Sequence, residues 1–183
     1  MDLLHAFADG LYRFMEASPG FPVSLLYIAI AAIPVALLHE FGHAFAARRL
    51  LDADVSIEVG TVGELARLRL GQIETTINAV GLPGQVGGAA TFDASRATAH
   101  HVFWIAIAGP LASVAGTAVA GVLYSAAPAS GVVHDLLWGA VAGSIFGVLN
   151  IIPLTFQEKR AGPVLRTDGW LAMDALRAAR ALR

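Results

Sequence analysis

Cysteine is absent from this chain of 183 residues, and charged residues make up only 14% of it. Without cysteine there are no disulfides and no thiolate ligands, so a bound metal would have to be held by histidine and carboxylate side chains. Ordinary soluble domains carry about 25% charged residues, and the only lysine here is Lys159. A net charge of -2, with no long basic run, argues against a nucleic-acid partner.

Apolar residues dominate the rest of the chain and fall into three long segments. Hydrophobic residues account for 56% of the sequence, and its mean hydropathy is +0.66. No charged residue occurs from Phe21 to Leu38, and about 20 apolar residues suffice for a helix to cross a bilayer. We predict an α-helical integral membrane protein in which residues 1–183 form one domain with core transmembrane helices at 21–47, 101–126 and 136–153.

Small residues recur at every fourth position in the second and third of these segments. Such stripes allow neighbouring membrane helices to approach closely. We therefore expect the three helices to pack against one another along these stripes, which comprise Gly109, Ser113, Thr117 and Gly121 in one segment and Gly139, Gly143 and Gly147 in the other.

Both ends of the chain have the pattern of amphipathic helices. In residues 1–18 the apolar side chains recur at helical spacing, which predicts a helix that either lies on the bilayer surface or packs on the other helices. This segment lacks the basic start and unbroken apolar core of a cleavable signal peptide. Residues 168–183 combine Trp170 and several apolar residues with three arginines, which predicts a short interfacial helix.

The segment from 51 to 97 has a different character. Apolar and polar residues alternate at 55–59, 68–70 and 73–77, and a period of two is typical of β-strands. The glycine-rich stretch 81–88 predicts a loop. We therefore expect a small antiparallel β-sheet of two to four strands between the first and second transmembrane helices, on the cytoplasmic side.

Two histidines and a glutamate stand out near the end of the first apolar segment. An acidic group at the centre of a membrane helix costs roughly 2.5–3.5 kcal/mol, so these residues are expected to have partners. On a helix, His39 and His43 lie one turn apart on one face, with Glu40 beside them. Zinc hydrolases use three protein ligands, so the pattern predicts two ligands, an adjacent general base and a third ligand elsewhere. The alternative is a buried polar cluster that hydrogen-bonds across helices.

Three stretches of the sequence resemble motifs of the site-2 protease family of intramembrane zinc metalloproteases, in the order that the family has them. Residues 38–44 (LHEFGHA) are similar to its zinc-binding helix, and residues 108–113 (AGPLAS) are similar to its Gly-Pro motif. Residues 150–153 (NIIP), followed by Asp168 and Gly169, resemble its Asn-x-x-Pro…Asp-Gly motif. Together the three motifs make a specific match.

The resemblance implies a role for each of five residues. His39, His43 and Asp168 would hold one zinc ion (Zn2+) per chain. Glu40 would be the general base that takes a proton from water and passes it to the leaving amine. Asn150 would bind substrate or stabilise the oxyanion of the tetrahedral intermediate.

The chain departs from the family pattern at two points. Ser113 stands where the family often has asparagine, and the gap from Pro153 to Asp168 is longer and more polar than its commonest form. In another register Asp168 would only cap the last helix, a position that aspartate favours. Asp174 and Glu58 would then be the rival ligands.

Through this resemblance, which extends over residues 21–169, we expect a zinc-dependent intramembrane endopeptidase. Its substrates would be membrane proteins or membrane peptides, cut in or near their transmembrane segments within the lipid bilayer, and no particular oligomeric state is indicated. A strand edge within 55–79 offers a place where an unwound substrate could pair. The alternative function is that of a catalytically inactive membrane metal-binding or regulatory protein of the same fold.

Positive charges predict how the chain is oriented. Arginines follow the first and third transmembrane segments, whereas the connection at 125–135 contains no arginine or lysine. Because cytoplasmic loops carry the excess of positive residues, we expect a multi-pass protein of the cell membrane. Its N-terminus would lie outside, and its C-terminus and the opening of the active site would face the cytoplasm.

Overall fold

The computed structural model describes residues 3–20, 22–79, 87–128, 130–157 and 164–181. Within these ranges the chain forms, in order, α1 (Leu3–Glu16), α2 (Val23–Leu51), β1 (Val55–Val59), β2 (Val62–Leu70), β3 (Ile73–Ala79), β4 (Gly88–Phe92), α3 (Ala99–Ala126), α4 (Val132–Leu149), β5 (Thr155–Gln157), β6 (Val164–Arg166) and α5 (Asp168–Ala181). Most of the loop predicted at 81–88 lies outside the described residues, and Gly88 begins β4.

Three helices are long and apolar enough to cross a membrane. α2, α3 and α4 contain 29, 28 and 18 residues, with apolar stretches of mean hydropathy 1.9, 1.8 and 1.6, and each packs against the other two. The prediction of three long apolar helices is confirmed, with different boundaries. α2 continues to Leu51, and α4 begins at Val132 and ends at Leu149 rather than 153. Pro153 accounts for the early end, because it has no N–H to bond to the Leu149 carbonyl and its ring would clash with that carbonyl in a continued helix.

The four strands between α2 and α3 form one sheet in the order β2-β3-β1-β4. β2 and β3 make an antiparallel hairpin and β4 is antiparallel to β1, but β1 and β3 are parallel. The sheet is therefore mixed, and the expectation of an antiparallel sheet is wrong for its central pair. All three apolar side chains of β1 are buried, which favours a central position for this strand. The chain reverses direction between β1 and β2 and again between β2 and β3. As a result, β3 has the same direction as β1 and pairs with it in parallel.

The buried face of the sheet packs on the C-terminal part of α2. The core of this contact consists of Ala44 and Ala47 from α2, Ile105 from α3, and Val55, Ile57 and Val59 from β1. The sheet is thereby held beside the helical turns that carry the histidines. Gly88, at the start of β4, lies against the side chain of Glu40 as a result.

The two terminal helices pack on α3 and α4. Near the end of α1, the ring of Phe14 stacks on Trp138 of α4 at 5.2 Å between centroids, and the indole N–H of Trp138 donates to the Phe14 carbonyl at 2.9 Å. Of the two alternatives for the first segment, helix packing is the one seen at this end of α1. α5 packs on α3 and buries Gly169, Ala172 and Ala175.

Candidate metal centre

The site begins on α2, where two histidines share one face. His39 and His43 are four residues apart, which brings their Nε2 atoms to 3.2 Å and their ring centroids to 4.9 Å. Both side chains are buried. The convergence follows directly from helix geometry, since residues at i and i+4 lie one above the other.

Asp168, the first residue of α5, completes the group from the other end of the chain. Its Oδ2 atom lies 3.0 Å from Nε2 of His39 and 3.3 Å from Nε2 of His43. One ligand atom from each of the three residues lies within 4.8 Å of the others, an arrangement that could hold a metal ion. Burial raises the pKa of Asp168, but hydrogen bonds with both histidines outweigh burial and leave this pKa below its ordinary value.

The residues on either side of Asp168 hold it in place. The hydroxyl of Thr167 donates to the carbonyl of Ile152 at 2.6 Å and accepts from the Leu154 N–H at 2.9 Å. The N–H of Gly169 donates to the carbonyl of Asn150 at 3.0 Å. A Cβ atom on Gly169 would overlap the Ile151 carbonyl. These contacts fasten the start of α5 to the turn after α4, and so they deliver the Asp168 carboxylate to α2.

The outer nitrogen of each imidazole also has a partner. Nδ1 of His43 lies 2.7 Å from the backbone carbonyl of Ile105, and Nδ1 of His39 lies 2.9 Å from the hydroxyl of Ser113. A carbonyl can only accept, so Nδ1 of His43 carries a proton, and in the neutral imidazole that a metal requires Nε2 would present its lone pair to the centre of the group. Metal-binding histidines usually have such an outer partner, and the donor set therefore fits a divalent metal ion.

Glycines allow the long helices to approach the histidines. A Cβ atom on Gly109 of α3 would overlap the imidazole of His43. A Cβ atom on Gly42 of α2 would lie 2.8 Å from Cβ of Ala112 on α3. In the second stripe, Gly139 of α4 packs on the backbone of Tyr27. Small residues at these positions are what permits a buried histidine pair to sit between helices.

Glu40 is buried next to the metal group but is not one of its three members. It lies under β4: a Cβ atom on Gly88 would be 2.7 Å from both Cγ and Oε1 of Glu40. The backbone of Ala90, also in β4, lies near the same carboxylate. Glu40 is therefore a further buried acidic group beside the three residues that could hold a metal ion.

Asn150 reaches the same centre from the end of α4. Its Nδ2 atom donates to Oδ2 of Asp168 at 2.6 Å and lies 3.4 Å from Nε2 of His39. An asparagine amide has two N–H groups, so one can orient Asp168 while the other is available to a ligand. All five residues named from the sequence thus lie in one neighbourhood.

The other polar residues considered from the sequence have partners elsewhere. Asp174, a rival ligand, pairs with Arg166 and Arg177 at 2.9 and 3.3 Å. Glu58, the second rival, accepts from the amide of Asn78 at 2.8 Å. Neither belongs to the metal-binding group among the described residues. The carboxylate of Asp168 contacts His39, His43 and Asn150, so it points into the site.

Sequence reasoning missed two contributors to the site. Thr167 precedes the Asp-Gly pair at a helix start, where threonine is a common capping residue, so its position was a usable signal. The Ile105 carbonyl had none, because a backbone atom leaves no mark on residue identity.

Compared with known proteins, the chain matches no protein-family model and no curated protein. We therefore argue its function from the geometry of the metal centre.

Proposed function

We propose that this chain is a zinc-dependent intramembrane endopeptidase of the site-2 protease type. One observation carries the proposal. His39, His43 and the buried Glu40 lie on a helix that is long and apolar enough to cross a membrane, and Asp168 of α5 joins the two histidines in a group that could hold a metal ion. Buried ionisable groups in such helices are costly and usually functional.

The ligand set favours zinc in a catalytic role. Catalytic zinc sites use three protein ligands and keep a position for water or substrate, whereas structural sites use four. The group on the described residues has three members, His39, His43 and Asp168, all of which are nitrogen or oxygen donors. A bound zinc ion supplies Lewis acidity, which makes water a nucleophile at neutral pH.

Glu40 supplies the proton transfers that peptide hydrolysis requires. Its carboxylate takes the proton of the attacking water as the new C–O bond forms, and then gives a proton to the amine as the C–N bond breaks. Its burial under β4 keeps bulk water away from this exchange. General acid–base catalysis of this kind contributes about 10²–10⁴-fold to the rate.

Asn150 and Asp168 act as a positioned pair. The Asn150 amide donates to Oδ2 of Asp168, which holds the carboxylate toward the histidines. Its second N–H is available for the carbonyl oxygen of the scissile bond, where negative charge develops. Asn150 therefore both orients a ligand and stabilises the oxyanion.

The substrate class follows from the surroundings of the site. A peptide bond inside a helix is shielded, so a transmembrane substrate must be unwound before it reaches Glu40. Membrane proteins or membrane peptides in the bilayer are the substrates that three long apolar helices can approach laterally. We place the N-terminus outside the cell membrane, and the C-terminus and the opening of the site toward the cytoplasm.

The decisive experiment compares Glu40→Gln with the wild type. The variant keeps the size and a hydrogen-bonding group of Glu40 but cannot take a proton. We expect zinc content to stay at one ion per chain, because Glu40 is outside the three-ligand group, and cleavage of a membrane peptide to fall by about 10²–10⁴-fold. Metal analysis and a cleavage assay in detergent or liposomes measure the two effects.

Three results would contradict the proposal. Cleavage that survives Glu40→Gln would remove the glutamate from the reaction. A wild-type chain that binds zinc but cleaves no membrane peptide would favour the alternative, a catalytically inactive metal-binding or regulatory protein. A wild type without metal affinity would exclude both the peptidase and the metal-binding form of the alternative.

A further inference from the structure

The three long helices meet at one side chain that the proposed reaction does not use. Ser113 of α3 is 2% exposed, and its hydroxyl lies 2.9 Å from Nδ1 of His39 on α2. On the other side, Gly147 of α4 faces the same two residues. A Cβ atom on Gly147 would overlap the Ser113 hydroxyl and lie 3.3 Å from Nδ1 of His39.

The direction of this hydrogen bond is decided by the metal. A metal ion on Nε2 of His39 needs the lone pair of that atom, so the ring proton must sit on Nδ1. The Ser113 hydroxyl oxygen then has to accept a hydrogen bond from this N–H, as the Ile105 carbonyl does for His43. The two histidines differ in one respect: His43 depends on a backbone atom that no substitution removes, whereas His39 depends on a side chain.

We infer that Ser113 is a positioning residue that fixes the ring orientation and tautomer of His39, and that Gly147 provides the space it needs. The inference rests on the metal centre of the proposed function but not on its peptidase activity. Loss of an outer partner of a ligating histidine typically lowers metal affinity by about 10–100-fold. We expect a loss of that size when the Ser113 hydroxyl is removed.

The first test is Ser113→Ala with Ser144→Ala as its matched control. Ser144 is also a buried serine, 3% exposed, on the adjacent helix α4, but its hydroxyl donates to the Ala140 carbonyl of its own helix. Both variants lose one buried hydroxyl. The apparent dissociation constant for zinc, measured in detergent by competition with a chelator, should rise about 10–100-fold for Ser113→Ala and stay near the wild-type value for Ser144→Ala.

The second test acts on the same contact from the opposite helix. Gly147→Ala inserts a methyl group against Ser113 and His39, whereas Gly143→Ala, one turn earlier on α4, adds a methyl group that meets nothing within 4 Å. The two changes have the same effect on helix propensity. We expect Gly147→Ala to weaken zinc binding and Gly143→Ala to leave it unchanged.

The outcomes separate the inference from the proposed function. If the wild type binds zinc and Ser113→Ala binds it as tightly as Ser144→Ala does, the positioning role is wrong while the peptidase proposal stands. If Ser113→Ala does not fold, the Gly147→Ala and Gly143→Ala pair decides, and equal zinc affinity in both would overturn the inference. A wild type that binds no zinc would overturn both proposals.

Discussion

Asp168 is the residue on which the distinction between a metal centre and a polar cluster depends most. Two histidines one turn apart can hydrogen-bond within a helix bundle without any metal. The carboxylate that joins them comes from α5, and Thr167 and Gly169 hold it there through contacts with the turn after α4. A metal ligand that must be placed accurately would need such contacts around one acidic residue.

Asp168→Asn and Asp174→Asn form a matched pair that tests this assignment. Both remove one negative charge from α5, but Asp174 is half-buried and pairs with arginines. Loss of an outer partner of a ligating histidine lowers metal affinity by about 10–100-fold. We expect Asp168→Asn to lower zinc affinity by more than this, because it replaces a ligand. Chelator competition should show no change in zinc affinity for Asp174→Asn. A larger loss of affinity for Asp174→Asn than for Asp168→Asn would mean that Asp168 is not the ligand.

Gly109 gives a second prediction at the scale of single residues. A methyl group there would overlap the His43 ring, whereas one on Gly121, further along α3, meets nothing within 4 Å. Overpacking of this kind typically costs about 1–3 kcal/mol, so Gly109→Ala should lower both thermal stability and zinc affinity. Gly121→Ala should lower neither the thermal stability, measured by thermal unfolding in detergent, nor the zinc affinity, measured by chelator competition. Equal behaviour of the two variants would mean that α3 does not contact His43.

Among the elements, β4 has the clearest functional position. It is an edge strand of the sheet, and its residues Gly88 and Ala90 lie against Glu40. An unwound substrate that pairs with this edge would carry its backbone past Glu40, the proposed general base. β2 is the other edge of the same sheet and provides a natural comparison.

Proline substitution distinguishes the two edges. Ala90→Pro removes a backbone N–H on the Glu40 side, and edge strands tolerate proline. We expect cleavage to slow by about 3–10-fold, the equivalent of one hydrogen bond, with zinc content unchanged. The control is Leu65→Pro, which falls at the irregularity of β2 between Glu64 and Ala66. Unchanged cleavage by Ala90→Pro, measured against this control, would rule out substrate pairing at β4.

At the scale of the whole molecule, the arrangement of charge predicts the orientation in the membrane. The natural absence of cysteine allows single cysteines to report sidedness. Gln72 lies in the exposed turn between β2 and β3, and Ser130 is exposed between α3 and α4. With a membrane-impermeant maleimide, we expect Ser130→Cys to be labelled in intact cells and Gln72→Cys only in inverted vesicles. The reverse pattern would place the opening of the site outside the cytoplasm.

The sequence by itself determined the features that depend on local periodicity. Long uncharged runs predicted the three helices because crossing a bilayer requires length and apolarity. The spacing of His39 and His43 predicted their convergence because helix geometry fixes it. The alternation in 51–97 predicted strands for the same reason, without predicting which strands would pair.

Tertiary structure alone decided what lies beside what. The parallel pairing of β1 with β3, the Ile105 carbonyl on His43, and the meeting of Ser113 and Gly147 at His39 all join segments far apart in the chain. Such contacts follow from how helices and strands fill space together, and no single segment encodes them. Asp168 belongs to both categories: resemblance suggested it, and packing brought it to the histidines.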